Sequence, residues 1–245
     1  MYSIAIPSYN RPTVETLAAI AGLPKEVKRY VFVNDKEEAK LYRANMANAS
    51  AQVTSLGCKR GIQYARNAIL DYFPKGAEIV TLCDDVESLQ TLDPIGDKLR
   101  LLTPKEWHQL ILGGFDQAHR YGTKLWGVYP VANHFYMSWK VSTKAFIIGT
   151  FSGIIVSDIR HDERLELKED YDFSLKHIHR YSGVIRYNNI CVKAKHYKNK
   201  GGCVGYRTTE KEQNAIRILK SLYPKNVVDN PRRENEILLK FSKVK

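Results

Sequence analysis

The sequence has few cysteines and no long apolar run, and each absence excludes a class of protein. Its four cysteines, Cys58, Cys83, Cys191 and Cys203, are far apart and form no Cys-x-x-Cys pair. Neither a disulfide framework nor a zinc–thiolate site is therefore expected. No apolar run approaches the roughly 18–20 residues of a membrane helix, and the amino end has no charged leader. We expect a cytoplasmic protein without a membrane partner, whose chain begins directly with its folded domain.

Glycine-rich phosphate-binding motifs are also missing. The first predicted strand is not followed by Gly-x-Gly-x-x-Gly, and the chain contains no Gly-x-x-x-x-Gly-Lys-Ser/Thr. P-loop hydrolases and dinucleotide-binding oxidoreductases need the backbone geometry that these glycines allow. The sequence therefore argues against both classes.

The chain does contain enough apolar side chains for a folded core, and its charge is uneven. Of its 245 residues 44% are hydrophobic, and the formal net charge is +12. Residues 186–245 hold 15 Lys and Arg against 5 Asp and Glu, a net charge of +10. This asymmetry is typical of proteins that bind a polyanion such as nucleic acid, although a basic face that only keeps the protein soluble is the alternative. We predict a core at 1–185 and a basic carboxyl-terminal extension at 186–245.

Apolar strands alternate with helical patterns through the first half of the chain. The predicted strands lie at 3–6, 30–33, 52–56 and 78–82, and the helical patterns at 12–21 and 62–72. Such alternation predicts an α/β fold with a mostly parallel central sheet and helices on both faces. Ligands of these sheets bind at the carboxyl ends of the strands. The loops at 7–11, 34–36 and 83–87 should therefore share one crevice.

The second half is less regular, but start and stop signals for helices are present. Capping boxes at Thr103/Glu106 and Thr209/Glu212 predict two helices, of which the second ends before Pro224. A further helix is predicted at 169–181 and a strand at 184–192. We expect one domain with an elaborated basic end.

Asp84-Asp85 directly follows an apolar strand and is the most informative local feature. Two adjacent carboxylates repel each other unless a cation lies between them. A divalent metal such as Mg²⁺ or Mn²⁺ meets that need while it bridges to substrate phosphates. The alternative is an Asp turn at the strand end without a ligand.

Five motifs follow one another in a recognisable order. They are Ile4-Ala5-Ile6-Pro7-Ser8-Tyr9-Asn10-Arg11-Pro12, Val33-Asn34-Asp35, Gly61 with Ala65-Arg66-Asn67, Ile79-Val80-Thr81-Leu82-Cys83-Asp84-Asp85, and Glu169-Asp170-Tyr171-Asp172. This succession covers most of the chain and resembles the nucleotide-sugar glycosyltransferases of the A-type fold. The resemblance implies a single Rossmann-like domain of that type.

The resemblance also implies which residues form the site. Binding of a UDP-sugar is expected at Pro7, Tyr9, Arg11, Asp35, Arg66, Asn67 and Asp84. A divalent metal, Mn²⁺ or Mg²⁺, is expected on Asp85, where it would stabilise the departing diphosphate. Asp170, with Glu169 beside it, would accept the proton of the attacking hydroxyl, and the sugar carbon would invert. A retaining route is the alternative, and a charged first helical turn is the purely structural interpretation of the acidic pair.

One position departs from the family pattern. The metal element of the family is Asp-x-Asp, and if Asp85 is its second Asp, Cys83 stands at the first. Either Asp84 substitutes, or the element is Asp85-x-Glu87. A late His is often a third ligand in this fold, and His196 is the candidate here, although a structural histidine is the alternative.

The basic end predicts the acceptor. Residues expected to contact DNA phosphates are Lys193, Lys195, Lys198, Lys200, Arg207, Lys211, Arg232 and Arg233. With a sugar-transfer site, these residues favour double-stranded DNA, and the chain resembles phage enzymes that glycosylate hydroxymethylated pyrimidines. A phage-encoded enzyme would work in the host cytoplasm. The alternatives are a glycan or small-molecule acceptor, or a nucleic-acid-binding protein with a degenerate sugar-nucleotide site; the oligomeric state stays open.

Overall fold

The structure is a computed structural model that describes residues 1–46, 50–195 and 207–241. Its strands are β1 (Ser3–Pro7), β2 (Lys28–Val33), β3 (Gln52–Ser55), β4 (Glu78–Leu82), β5 (Val86–Leu92), β6 (Leu99–Leu101), β7 (Leu125–Tyr129), β8 (Val141–Ser142), β9 (Phe151–Ile155), β10 (Ile185–Ala194), β11 (Val227–Asp229) and β12 (Ile237–Leu239). Its α-helices are α1 (Glu15–Ala19), α2 (Lys36–Asn45), α3 (Ile62–Tyr72), α4 (Pro104–Arg120), α5 (Glu169–Tyr181) and α6 (Thr209–Leu222).

A ten-stranded mixed sheet crosses the molecule. Its order is β3-β2-β1-β4-β9-β7-β10-β5-β6, and β8 pairs with β10 at the side. Strands β1, β2, β3, β4, β6, β7 and β10 run in one direction, while β5, β8 and β9 run in the other. The prediction of a mostly parallel α/β sheet is confirmed. The antiparallel insertions were not predicted.

The helices cover both faces of the sheet, as predicted. Ile4 and Ile6 of β1 pack on one face with residues of α2 and α4. Ala5, between them, faces the other side with residues of α3 and α5. Successive strand residues point to opposite faces, so an apolar strand with helices on both sides is buried throughout.

Capping residues fix where the helices begin. At α4 the Thr103 side chain accepts from Glu106 N and the Glu106 side chain accepts from Thr103 N, which is the predicted capping box. At α6 the cap is Thr208, whose hydroxyl accepts from Lys211 N. The prediction of Thr209 as cap is therefore wrong by one residue. Glu212 forms an ion pair with Lys168 instead of closing a box.

Helix α2 was missed because it has little apolar periodicity. Among its residues only Ala39 and Tyr42 are buried, while most of the others are charged or exposed. Its start is nevertheless defined, since the Asp35 side chain accepts a hydrogen bond from Glu38 N at 2.9 Å. An Asp cap supplies a partner to an otherwise unpaired amide of the first turn.

The carboxyl-terminal part contributes to the main sheet and also has a small core of its own. Strand β10 lies between β7 and β5. Beyond it, Leu219 of α6 and Ile237 of β12 pack with Leu175 of α5. The boundary between 185 and 186 stays a prediction. No helix of the described ranges is long and apolar enough to cross a membrane.

Gly114 of α4 allows Trp126 to pack closely against the helix. A Cβ at Gly114 would lie 2.5 Å from the Trp126 ring, whereas one at the neighbouring Gly113 would meet nothing within 4 Å. Trp126 is fully buried, so it has little room to move. We expect Gly114→Ala to destabilise the protein by about 1–3 kcal/mol, because overpacking outweighs the gain in helix propensity.

Thermal unfolding of the two variants tests this. Gly114→Ala should lower the Tm by about 4–10 °C, while the matched Gly113→Ala should leave it unchanged or raise it by a few degrees. Equal Tm values for the two variants would contradict the packing argument.

The buried His177 makes the fold sensitive to acid. Its Nδ1 donates to Phe173 O at 2.8 Å, and its buried Nε2 has no hydrogen-bond partner among the described residues. Burial lowers the pKa of His177 from 6.5 to about 4. His177 therefore binds a proton more readily in the unfolded chain than in the folded one. The free energy of unfolding is not reduced by this group above about pH 6.5, and it falls as the pH is lowered from 6.5 toward 4.

Urea unfolding at two pH values measures this contribution. Between pH 7 and pH 5 we expect a loss of about 2 kcal/mol from this group. In His177→Leu the pH dependence should be flatter by that amount, while His161, also buried with a lowered pKa, continues to contribute. Identical slopes for wild type and variant would refute the assignment.

Candidate functional site

A cleft of about 690 Å³ opens at the carboxyl ends of β1, β2 and β4. Its walls include Pro7, Ser8, Tyr9 and Arg11 after β1, Asn34 after β2, and Cys83, Asp84 and Asp85 after β4. The three loops that were expected to share a crevice therefore do so. Three parallel strands that end at one edge bring together residues that are far apart in the chain.

Arg11 lies against both aspartates. Its Nη1 donates to Asp84 Oδ1 at 2.7 Å and lies 3.6 Å from Asp85 Oδ2. The Arg11 side chain is 13% exposed and each aspartate side chain 7%. An ion pair this sheltered is screened little by solvent, so Arg11 offsets part of the repulsion between the carboxylates.

A chain of hydroxyls holds the other oxygen of Asp84. Ser8 Oγ donates to Asp84 Oδ2 at 2.5 Å, and the Tyr42 hydroxyl lies 2.8 Å from Ser8 Oγ. The same Tyr42 oxygen accepts from the Arg11 backbone N–H. Burial raises the pKa of Asp84, although the Ser8 hydrogen bond and the Arg11 charge oppose that shift. Both oxygens of Asp84 thus have partners within the protein.

Thr16 fixes the turn that carries the aspartates. Its hydroxyl donates to Cys83 O at 2.6 Å and accepts from Val86 N at 2.9 Å. Its backbone N–H donates to Asp84 O. Thr16 is fully buried, so this link between α1 and the turn is shielded from water.

One carboxylate oxygen of Asp85 lacks a partner within the part of the chain that the structure describes. Its backbone oxygen accepts from Lys195 N at 3.1 Å, but its buried Oδ1 has no hydrogen-bond partner among the described residues. A buried carboxylate oxygen in that state is costly unless a ligand satisfies it.

Asp85 therefore fits a metal ligand better than its neighbours do. Asp84 is engaged by Arg11 and Ser8, while Glu87 forms an ion pair with Lys193 at 3.0 Å. The described ranges hold no group of three His, Cys, Asp or Glu that could bind a metal, and the predicted ligand His196 lies outside them. One or two carboxylates fit Mg²⁺ or Mn²⁺ when phosphate oxygens and water complete the coordination.

Part of the cleft lining is apolar and aromatic. Pro7, Phe32 and Leu56 line it together with the rings of Tyr9 and Tyr64. The Arg60 guanidinium lies 5.7 Å from the centre of the Tyr9 ring. Aromatic rings and apolar side chains in one cleft suit a nucleobase, which stacks on the rings and excludes water.

Asp35 is placed beside this region rather than in the cleft wall. Its side chain caps α2, and Glu38, one turn further on, accepts from Asn34 N and Asn10 N at 3.1 and 2.7 Å. Glu38 thereby ties the loops after β1 and β2 together. The predicted contact of Asp35 with the nucleotide stays a prediction.

Arg66 and Asn67 point away from the main cleft. Arg66 donates to Gly149 O at 3.0 Å and lies 3.4 Å from Glu169 Oε1. The Asn67 amide exchanges two hydrogen bonds with the backbone of His161. The cleft is lined by Ala65 of the same helix, but by neither of these two residues. Their roles at the diphosphate stay predictions.

Glu169 and Asp170 lie at the first turn of α5, behind this Arg66 contact. Asp170 Oδ2 accepts from Gly149 N at 3.1 Å. Burial raises the pKa of Glu169 to about 7 although the Arg66 charge opposes it, and burial also raises the pKa of Asp170. Neither carboxylate lines the main cleft. Acids whose pKa is raised toward neutrality are typical of proton-transfer sites, and burial of a structural carboxylate produces the same shift.

The predicted DNA-binding residues are scattered. Arg207 and Lys211 line the mouth of the cleft, where Lys211 pairs with Glu166 at 2.6 Å. Lys193 and Lys195 pair with Glu87 and Glu15 near the aspartate turn. Arg232 and Arg233 are exposed in the segment between β11 and β12, whereas Lys198 and Lys200 lie outside the described residues.

Several cleft residues escaped the sequence analysis. They are Ser8, Arg60, Gln63, Tyr64, Glu163, Arg164 and Glu166. The segment 163–166 has no periodic pattern, so nothing in the sequence showed that it would reach the cleft. Two aromatic side chains between β7 and β8, Phe135 and Trp139, lie on the surface and are 81% and 57% exposed.

Comparison with known proteins identifies the fold. No family model matches the chain, and no curated protein matches its sequence. TarS 1-349 of S. aureus aligns with a TM-score of 0.52 at 12% identity, over 91% of this chain and 72% of that one. Glucosyl-3-phosphoglycerate synthase of Mycobacterium tuberculosis, solved with Mn²⁺, uridine diphosphate and glucosyl-3-phosphoglycerate, gives 0.53 at 10% identity, over 91% and 79%. The chain has the A-type glycosyltransferase fold.

Proposed function

We propose that the protein is a glycosyltransferase that moves a sugar from a UDP-sugar to the hydroxyl of a hydroxymethylated pyrimidine in DNA. The observation that carries the sugar-nucleotide part is the cleft itself. Its aromatic residues suit a uracil ring, and Asp85, which also lines it, has a buried carboxylate oxygen with no hydrogen-bond partner among the described residues. The similar synthase from Mycobacterium tuberculosis was solved with uridine diphosphate and Mn²⁺, which supports the same ligand classes here by analogy of fold alone.

We assign different residues of the cleft to different parts of the donor. Tyr9 and Tyr64 hold the base by stacking, and Pro7 and Phe32 exclude water from it. Asp85, with Asp84 next to it, would hold a divalent metal, which supplies positive charge for the departing diphosphate. Arg60 and Arg207 line the same cleft and add positive charge for the phosphates.

We assign the proton transfer from the acceptor hydroxyl to the acidic pair at the start of α5. Asp170 lies beside Gly149 and Arg66 rather than in the cleft wall, so the proposal requires the acceptor to approach from the Gly149 side. There Asp170 accepts the proton of the acceptor hydroxyl as its oxygen attacks the anomeric carbon, and the bond from that carbon to the diphosphate breaks with its electron pair on phosphate oxygen. The raised pKa of Asp170 makes its carboxylate a stronger base than an exposed one. Attack from the side opposite the diphosphate inverts the sugar carbon.

The DNA acceptor is supported by charge. Residues 186–245 have a net charge of +10, and Arg207 and Lys211 bring part of it to the mouth of the cleft. Positive side chains that neutralise DNA phosphates release counterions, so the binding weakens as salt is added. The modified base must leave the base stack to reach the site. We assign residues 186–245 the role of completing the site and the acceptor surface.

A donor and acceptor screen tests the proposal. The protein is incubated with UDP-glucose and related donors, Mn²⁺ and a DNA duplex that contains 5-hydroxymethylcytosine, and the nucleosides are analysed by mass spectrometry. We expect a hexose or pentose on the modified base, none on unmodified DNA, and a rate that falls between low and moderate salt. Transfer to oligosaccharides with no response to DNA would select the glycan acceptor. DNA binding without any donor turnover would point to a degenerate site.

A further inference from the structure

In the structure the positive charge next to Asp84 and Asp85 is the guanidinium of Arg11. Arg11 Nη1 lies 2.7 Å from Asp84 Oδ1 and 3.6 Å from Asp85 Oδ2, in a setting where all three side chains are almost buried. A divalent metal at Asp85 would bring a second positive charge close to this guanidinium. Like charges at such short range repel strongly when solvent screens them little.

We propose that Arg11 is an internal counter-cation of the Asp84–Asp85 pair, which competes with a divalent metal and keeps the metal affinity of the donor-free protein low. The inference rests on the proposed function, because that function places the metal at Asp85. Asp85 Oδ1, which has no hydrogen-bond partner among the described residues, is the oxygen left for the metal, since Asp84 already has Ser8 and Arg11 as partners.

Backbone hydrogen bonds hold the loop around Arg11, so its guanidinium can change partners while the loop keeps its conformation. Arg11 N donates to the Tyr42 hydroxyl at 2.8 Å, and Asn10 N donates to Glu38 at 2.7 Å. These bonds anchor the main chain on α2 independently of the arginine side chain. Because Arg11 also lines the cleft, the diphosphate of the donor is an alternative anionic partner. Binding of the donor would then relieve the competition and raise the affinity for the metal.

Manganese binding to the donor-free protein is the measurement, with free Mn²⁺ followed by electron paramagnetic resonance. Arg11→Met removes the charge and keeps much of the length, and it should tighten Mn²⁺ binding at least tenfold. Arg11→Lys keeps the charge and should stay within about threefold of wild type. In the double variant Arg11→Met with Asp85→Asn the gain should disappear. An unchanged or weaker affinity of a folded Arg11→Met protein, or a gain that survives Asp85→Asn, would overturn the proposal.

A second measurement needs no substitution at Arg11 and covers the case in which Arg11→Met does not fold. The guanidinium resonances of Arg11 in the full-length protein are followed by NMR as Mg²⁺ is added. We expect them to shift as the ion pair with Asp84 and Asp85 is weakened, and to respond far less in Asp85→Asn. Unchanged Arg11 chemical shifts at saturating Mg²⁺ would contradict the inference. Neither readout depends on sugar transfer, so a failed donor screen with these metal results intact would count against the proposed function alone.

Discussion

We expect replacement of Asp85 by Asn to lower the rate of the proposed sugar transfer by about 10²–10³-fold and to weaken Mn²⁺ binding by a similar factor. The amide has the same shape as the carboxylate but lacks its charge, and the oxygen lost as a charged ligand is Oδ1, which has no other partner among the described residues. The fold should survive, because Asn relieves the repulsion between Asp85 and Asp84. The measurements are kcat with a UDP-sugar and the Kd for Mn²⁺ in the presence of UDP.

Glu87→Gln is the matched control for this substitution. Glu87 lies two residues further along the chain and is the alternative ligand, but its carboxylate pairs with Lys193. We expect its rate and metal affinity to stay within about threefold of wild type, as for other exposed ion pairs. If Glu87→Gln lost activity while Asp85→Asn kept it, the metal would have to be reassigned to Glu87.

The second substitution for which we expect a large effect is Asp170→Asn. It should lower kcat about 10²–10⁴-fold and change the KM for the donor little. The amide keeps a polar group near Gly149 N but cannot accept a proton from the acceptor. Donor hydrolysis and transfer are measured separately, and UDP binding by calorimetry verifies that the cleft is intact. A loss of donor binding instead of kcat would assign Asp170 a structural role.

The pH profile of the wild type gives a second readout for the acidic pair. Burial raises the pKa of Glu169 to about 7 and also raises that of Asp170. A base must be deprotonated to act, so kcat/KM should fall on the acid side, and the raised pKa values move this fall to a higher pH than an exposed carboxylate would give. Glu163 is exposed, lines the cleft and is the competing base. Glu163→Gln should keep the acid limb and most of the rate; if it abolished both, Glu163 would be the base.

The fold was predictable because its central strands are short, apolar and regularly alternated with helices. Strands β1, β2, β3 and β4 and helices α3 and α5 lie where the pattern put them. Strands β5, β6, β11 and β12 were not anticipated; the last three are only three residues long, too short to show an alternating pattern. Helix α2 was hidden because a mostly charged helix carries almost no apolar period.

The site was predictable in its loops but not in the direction of its side chains. The order of the strands places the loops after β1, β2 and β4 together, which follows from a parallel sheet. Arg11 and Asp84 are 73 positions apart in the chain, and nothing local in either segment marks that pairing. Arg66 and Asn67, whose place near the diphosphate stays a prediction, contact Gly149 and His161, and the sequence did not indicate these contacts.

The contacts of Thr16 have a consequence for engineering. Because this one side chain joins Cys83 O and Val86 N, the acidic turn depends on α1 for its shape as much as on the strand that precedes it. Anyone who transplants the Asp84-Asp85 turn into another sheet must therefore carry the first helix with it, or the two carboxylates will lose the orientation that makes them useful.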